Sequence, residues 1–237
     1  MSIGRHAGNA RQPRIISPET MYDTILAFGI IPFFENSIRG FSIEEMTPAG
    51  NWFDSQEDLR KTPWDWKIEC IRSGDIAYGK FLGGKAAFAS IPVYRHLMNW
   101  RRSLPRYEVQ EGPQAEVLDY VEKNGSVSIR EIRGLLGVKK AAADALVTKL
   151  QMATRLVTGD IVRVYRGADL HYNGWQTSSF CTPDALFEAG VPDWFGHRTA
   201  RNEEISASPD ASRDFLLDLL RRLAPDAGEA QRLKLLA

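Results

Sequence analysis

The apolar positions of this chain change period several times, and each change predicts an element. Ser17-Pro18-Glu19 supplies an N-cap, a proline at the first helical position and an acid in the first turn, so a helix runs from there to Phe28, with Gly29 closing it. The short apolar run Ile30 to Phe34 is broken by Pro32, which suits buried irregular chain or an edge strand. Residues 47–66 mix Thr, Pro, Gly, Asn and Asp with Trp52, Phe53, Trp64 and Trp66. This reads as a long ordered loop, because aromatic side chains seldom persist in disordered linkers. Ile76 to Leu82 and Lys85 to Ser90 flank Gly83-Gly84 and predict a hairpin. Pro92 opens a helix through Trp100 that ends in Arg101-Arg102, cations placed where a helix C-terminus favours them.

The pattern shifts again after residues 103–113, where Pro105, Gly112 and Pro113 mark a linker. Val117, Leu118 and Val121 form one helical face, ended by Asn124-Gly125. Ser128 and Glu131 make a capping box for a second helix with Ile129, Ile132 and Leu136 inward and Gly137 as its stop. A third helix spans about Lys139 to Val157, with Leu146, Val147, Leu150 and Ala153 at core spacing. Ile161 to Arg166 and a segment near Trp175 pair as strands. Three helices followed by a two-stranded ribbon is the order of a winged helix-turn-helix. From Asp184 the chain is acidic, and Ser208-Pro209-Asp210 starts a final amphipathic helix carrying Phe215, Leu216, Leu219, Leu220 and Leu223. The expected fold is mixed α/β (α+β): a flexible tail (1–16), an N-terminal helix–hairpin–helix region (17–112), a winged-helix domain (113–183) and a C-terminal helical segment (184–237).

Composition narrows the class. A hydrophobic content of 43% over 237 residues supports a sizeable core, and no stretch approaches the roughly 18 apolar residues of a membrane span. Met1 to Arg14 is polar and basic, which is not the pattern of a secretory signal. Cys70 and Cys181 form no CxxC pair and read as reduced, buried thiols, so a cytoplasmic protein is expected. Thirty basic side chains balance thirty acidic ones, which argues against coating nucleic acid through bulk charge. The distribution is mildly uneven: residues 113–183 carry nine basic and seven acidic groups, residues 184–237 seven and ten.

In a winged helix the third helix enters the major groove. Its non-core face here carries Lys140, Thr148, Lys149, Gln151 and Arg155, with Asp144 on the same stripe. Lysines would neutralise phosphates, while Gln151 and Arg155 have the donors to reach base edges. The wing adds Arg163 and Arg166 as phosphate partners. Double-stranded DNA is therefore the expected partner. The alternative is a protein-interaction or oligomerisation module using the same winged helix and the C-terminal helix. Enzymatic motifs are sparse. There is no GxGxxG or Walker loop, and Gly79-Lys80 with Gly83-Gly84-Lys85 sits in a hairpin rather than before a helix. His6, His96, His171 and His197 have no metal-ligand spacing, so neither metal nor cofactor is expected. Glu35 and Asn36 follow the apolar Phe33-Phe34 and are the polar pair that could line a pocket; the plainer reading is a turn after a strand. Trp52, Trp64 and Trp66 could stack bases or line an apolar pocket, or simply pack the core.

Several segments resemble the AlkZ-related proteins, a branch near the AlkZ/YcaQ winged-helix DNA glycosylases. They are FGIIPFFEN from Phe28, PWDWK from Pro63, AYGKFLGGKA from Ala77, NWRR from Asn99, TKLQMA from Thr148 and SPDAS from Ser208. The resemblance spans roughly residues 18–225. It implies helical and winged-helix elements around a concave DNA-binding surface. In the active glycosylases it implies removal of alkylated or crosslinked purines, with a polar side chain positioning water against the sugar. Those enzymes carry a glutamine, then a glutamine or aspartate two positions on. Pro32 and Phe34 stand there in this chain, with Glu35 and Asn36 as the nearest polar substitutes. The histidine that often follows the aromatic segment is absent around Gly84-Lys85.

Overall fold

A computed structural model describes residues 14–52, 62–166, 168, 171–188 and 205–236, with the backbone alone for 166, 171–174 and 188. Along the chain it contains α1 (Pro18–Phe28), β1 (Ile30–Pro32), α2 (Ile43–Met46), α3 (Pro63–Arg72), β2 (Ile76–Leu82), β3 (Lys85–Ser90) and α4 (Ile91–Arg102). There follow α5 (Pro113–Asn124), β4 (Val127–Ser128), α6 (Ile129–Leu136), α7 (Lys140–Met152), β5 (Val157–Arg166), β6 (His171–Cys181), α8 (Pro183–Glu188), α9 (Pro209–Leu223) and α10 (Glu229–Leu236). The chain is thus mixed α/β, with two three-stranded antiparallel sheets among the described residues, ordered β1-β3-β2 and β4-β6-β5.

Local sequence explains most boundaries. The Ser17 hydroxyl accepts from Thr20 N and the Thr20 hydroxyl accepts from Ser17 N, closing a capping box at α1. Gly29 leaves that helix at φ 73°, a conformation glycine reaches without steric cost. Ser128 and Glu131 form the same reciprocal cap at α6, and Ser208 caps α9.

Four features differ from the sequence expectation. Residues 63–66, expected to close a long loop, instead open helix α3, which continues to Arg72. Pro63 at its first position, Asp65 in its first turn and Arg72 in its last are helix signals that the surrounding Trp, Pro and Thr obscure. The third helix of the middle region stops at Met152, because Thr154 takes a left-handed φ of 54° and Arg155 N turns back to Leu150 O. The ribbon gains a third strand, β4, paired to β6 at Val127↔Phe180. A further helix, α10, follows α9.

Burial ties these parts together. Ile25, Ile31, Phe33, Ile43, Trp66, Cys70 and Phe88 fill a core between α1, α2, α3 and β3. A larger core joins the hairpin and α4 to α9 and α10 through Phe81, Tyr94, Leu97, Leu216, Leu220 and Leu236. The middle region has its own core of Val117, Val121, Ile132, Val147, Leu150 and Phe180. No helix among the described residues is long and apolar enough to cross a membrane.

Candidate functional site

On α7, successive residues turn by about 100°, and Ala143, Val147, Leu150 and Gln151 face inward. Lys149 lies on the opposite side and is exposed, as are Lys139, Lys140, Ala141, Ala142 and Ala145. Lys140 pairs with Asp144 at 2.8 Å across one helical turn. Arg130 and Arg133 on α6 are exposed too; the winged-helix pattern points to the third helix and the ribbon for cations, and so passes over the second helix.

The structure separates Gln151 from that surface. Gln151 is 2% exposed. Its Oε1 accepts from Lys80 N at 2.9 Å, on the outer edge of β2, and its Nε2 donates to the Thr158 hydroxyl at 3.4 Å. Gly79 makes this approach possible, since a Cβ there would stand 2.8 Å from Gln151 Nε2. Gln151 is therefore a corrected assignment: it joins α7 to the hairpin and has no free edge for a base. Thr148 is half-buried, its hydroxyl donating to Asp144 O. Arg155 is half-buried beyond the helix end, with its Nε enclosed and without a hydrogen-bond partner.

Arg163 on β5, expected as a phosphate partner, also points inward. Its Nε donates to Asp65 Oδ1 at 2.9 Å, and the second Asp65 oxygen accepts from the Thr62 hydroxyl at 2.8 Å. Arg72 on the same helix holds Asp160 and the Ile161 carbonyl of β5. A groove of about 510 Å³ runs between α3 and β5, lined by Asp65, Glu69, Arg72, Arg163 and Tyr165. The Arg166 side chain lies outside the described residues.

Beside this seam stands a group of interlocked rings. Phe33 packs edge-to-face on Trp52 and Trp64, each at 5.6 Å, and on Phe34 at 4.8 Å; Trp52 and Trp64 are 5.7 Å apart. Trp64 is 40% exposed, whereas Trp66, two residues on, is 2% exposed in the core under α1. The three tryptophans thus do not line one pocket. Lys67, one turn after Trp64, lies under the rings, with Nζ 4.7 Å from the Trp64 centroid and 5.8 Å from that of Phe33. Burial lowers its pKa to about 8, with the Asp65 charge opposing the shift.

Glu35 is exposed. Asn36 braces its own loop: Nδ2 donates to Phe41 O at 2.8 Å and Oδ1 accepts from Ile38 N at 2.9 Å. The structure does not bring the two side chains into a shared pocket. His96 stacks on Phe215 at 4.1 Å and contacts the Ser212 hydroxyl at 3.0 Å. His6 and His197, and the side chain of His171, lie outside the described residues. Among the described residues, no three His, Cys, Asp or Glu side chains are grouped to hold a metal ion.

The segments singled out in the sequence meet one another here. PWDWK supplies Asp65 and Lys67, AYGKFLGGKA supplies Gly79 and Lys80, TKLQMA supplies Gln151, and Asn99 of NWRR donates to Ser212 of SPDAS at 2.9 Å. They form the joints of a two-sheet α/β chain. The model of the AlkZ-related family matches residues 15–237, and the chain belongs to that family. No curated protein and no solved structure matches it.

Proposed function

We propose that this protein binds double-stranded DNA through residues 113–183, arranged as a winged helix, with the N-terminal half of α7 presented to the major groove. The observation that carries this reading is the placement of exposed cations. Arg130 and Arg133 on α6, Lys139 at the N-cap of α7, and Lys140 and Lys149 on α7 are all exposed, unlike Gln151. The exposed alanines between them allow close approach of the helix to a groove. Phosphate contact by these cations positions the protein without reading sequence. Family membership is consistent with a role near DNA repair.

Base excision by the family's polar pair is not part of the proposal. Pro32 and Phe34 are apolar, and both polar atoms of the Asn36 amide are already committed. Glu35 remains testable on its own: if Glu35→Gln releases purines from alkylated DNA as fast as the wild type, Glu35 has no catalytic part. The apolar face of α9, with Leu216, Leu217 and Leu220, is buried within the chain's own core. It therefore offers no surface for the oligomerisation alternative.

The test is a salt titration of binding to a labelled duplex. Log affinity should fall with log salt at about −0.9 per phosphate contacted. Lys139→Glu with Lys149→Glu should weaken binding and flatten that slope by about two contacts' worth. Unchanged affinity in the double variant would overturn the reading.

A further inference from the structure

We propose that Lys67 is a nucleophilic amine that condenses with an aldehyde, and that its substrate is the ring-opened deoxyribose of an abasic site in DNA. The identity of the aldehyde rests on the DNA-binding reading; the reactivity of the amine does not.

Three observations converge on Lys67. The side chain is 7% exposed and its Nζ lies against the rings of Trp64 and Phe33. Among the described residues no carboxylate pairs with it. Asp65, two residues before it on α3, is instead held by Arg163 from β5 and by Thr62. The ammonium is thus desolvated without an ion pair to restore it, the environment in which lysines become nucleophiles. With a pKa of about 8, about a fifth of the amine is neutral at pH 7.4, against about 0.1% for an ordinary lysine. The amine also lies 5.8 Å from the ring of Phe33, the residue that follows strand β1. Trp64, its cover, is itself 40% exposed to solvent.

The chemistry needs no oxidant or cofactor. The Nζ lone pair attacks the C1′ carbonyl carbon, forming a C–N bond and placing the carbonyl electron pair on oxygen. Proton transfers convert that oxygen to water, which leaves, giving a protonated imine. The imine acidifies C2′–H; loss of that proton to solvent forms the C2′–C3′ double bond and expels the 3′ phosphate. That elimination cleaves the strand, and hydrolysis of the imine by water then returns the amine and releases the unsaturated aldehyde on the 5′ fragment.

The experiment is borohydride trapping by the full-length protein on a duplex bearing one abasic site. It is run beside a binding isotherm on the same duplex and a parallel trapping reaction with deoxyribose 5-phosphate. The expected result is a covalent protein–DNA adduct that peptide mapping assigns to Lys67, lost in both Lys67→Arg and Lys67→Met. Circular dichroism confirms that the variants fold. Trapping of deoxyribose 5-phosphate at Lys67 without duplex binding would keep the amine and overturn DNA as the source of its aldehyde. Duplex binding without trapping, or an adduct that survives Lys67→Met, would overturn the proposal and leave DNA binding standing. No adduct with either aldehyde would overturn it as well.

Discussion

Lys67 has a thermodynamic signature independent of any substrate. Its pKa is near 8 when folded and near 10.5 when free, so between those values the unfolded chain holds more protons and stability from this group rises with pH. Below pH 8 both states are charged and the desolvation penalty is present in full; above about 10.5 both are neutral and it is gone. Contact with Trp64 offsets part of that penalty. Lys67→Met should therefore be more stable than the wild type by about 1–3 kcal/mol at pH 7. Urea unfolding should show that gain shrinking towards zero by pH 10.5. A constant difference across that range would mean the amine is not desolvated as described. Little of this was legible in PWDWK: Trp64 lies one helical turn from Lys67, but Phe33 reaches the amine only through the fold. Asn36 had two readings, a pocket residue or a turn after a strand, and its amide hydrogen bonds within its own loop agree with the plainer one.

At the scale of elements, the capped helices and the hairpin were readable because their signals are local. Pro18, Ser128, Ser208 and Gly83-Gly84 act within a few residues of themselves. Helix α3 was not, since its start signals, Pro63 and Asp65, follow directly on a stretch rich in Thr, Pro, Gly and Asn that reads as loop. The Gln151 joint was equally invisible, as nothing in TKLQMA distinguishes an inward glutamine from a base-reading one. The joint predicts a coupling. Gly79→Ala should displace the Gln151 amide from Lys80 N and cost about 1–3 kcal/mol. Once Gln151→Ala has removed the amide, Gly79→Ala should cost little more. A thermal-denaturation cycle in which the two costs simply add would show that the residues do not interact.

At the scale of the whole molecule, Arg101 joins three parts of the chain. It is fully buried on α4. Its guanidinium donates to Met152 O at the end of α7 and to Leu236 O at the end of α10, and lies 5.4 Å from the Tyr107 ring. Burial lowers its pKa to about 10, which leaves it charged at neutral pH, facing the negative ends of two helices. Sequence reading placed the Arg101-Arg102 pair correctly at a helix end, yet assigned it to its own helix. Arg101→Met should leave both carbonyls unsatisfied and cost about 2–4 kcal/mol. Limited proteolysis should then cut first where α7 and α10 have lost their hold; an unchanged cleavage pattern would show that the clamp is dispensable.

The edges of the two sheets bear on how this protein behaves when crowded. A sheet edge with open amides and carbonyls invites another strand. Strand β1 is three residues long and ends in Pro32, which has no amide hydrogen to offer. Strand β2 has Lys80 N covered by Gln151. Strand β5 has Ile161 N bound to Asp160 and Ile161 O bound to Arg72, and β4 is only two residues long. Contacts that join the parts of one chain thereby also deny a neighbouring chain its template. Weakening one of them, by Arg72→Ala for example, should speed the formation of thioflavin-positive aggregates at high concentration before it measurably lowers the melting temperature.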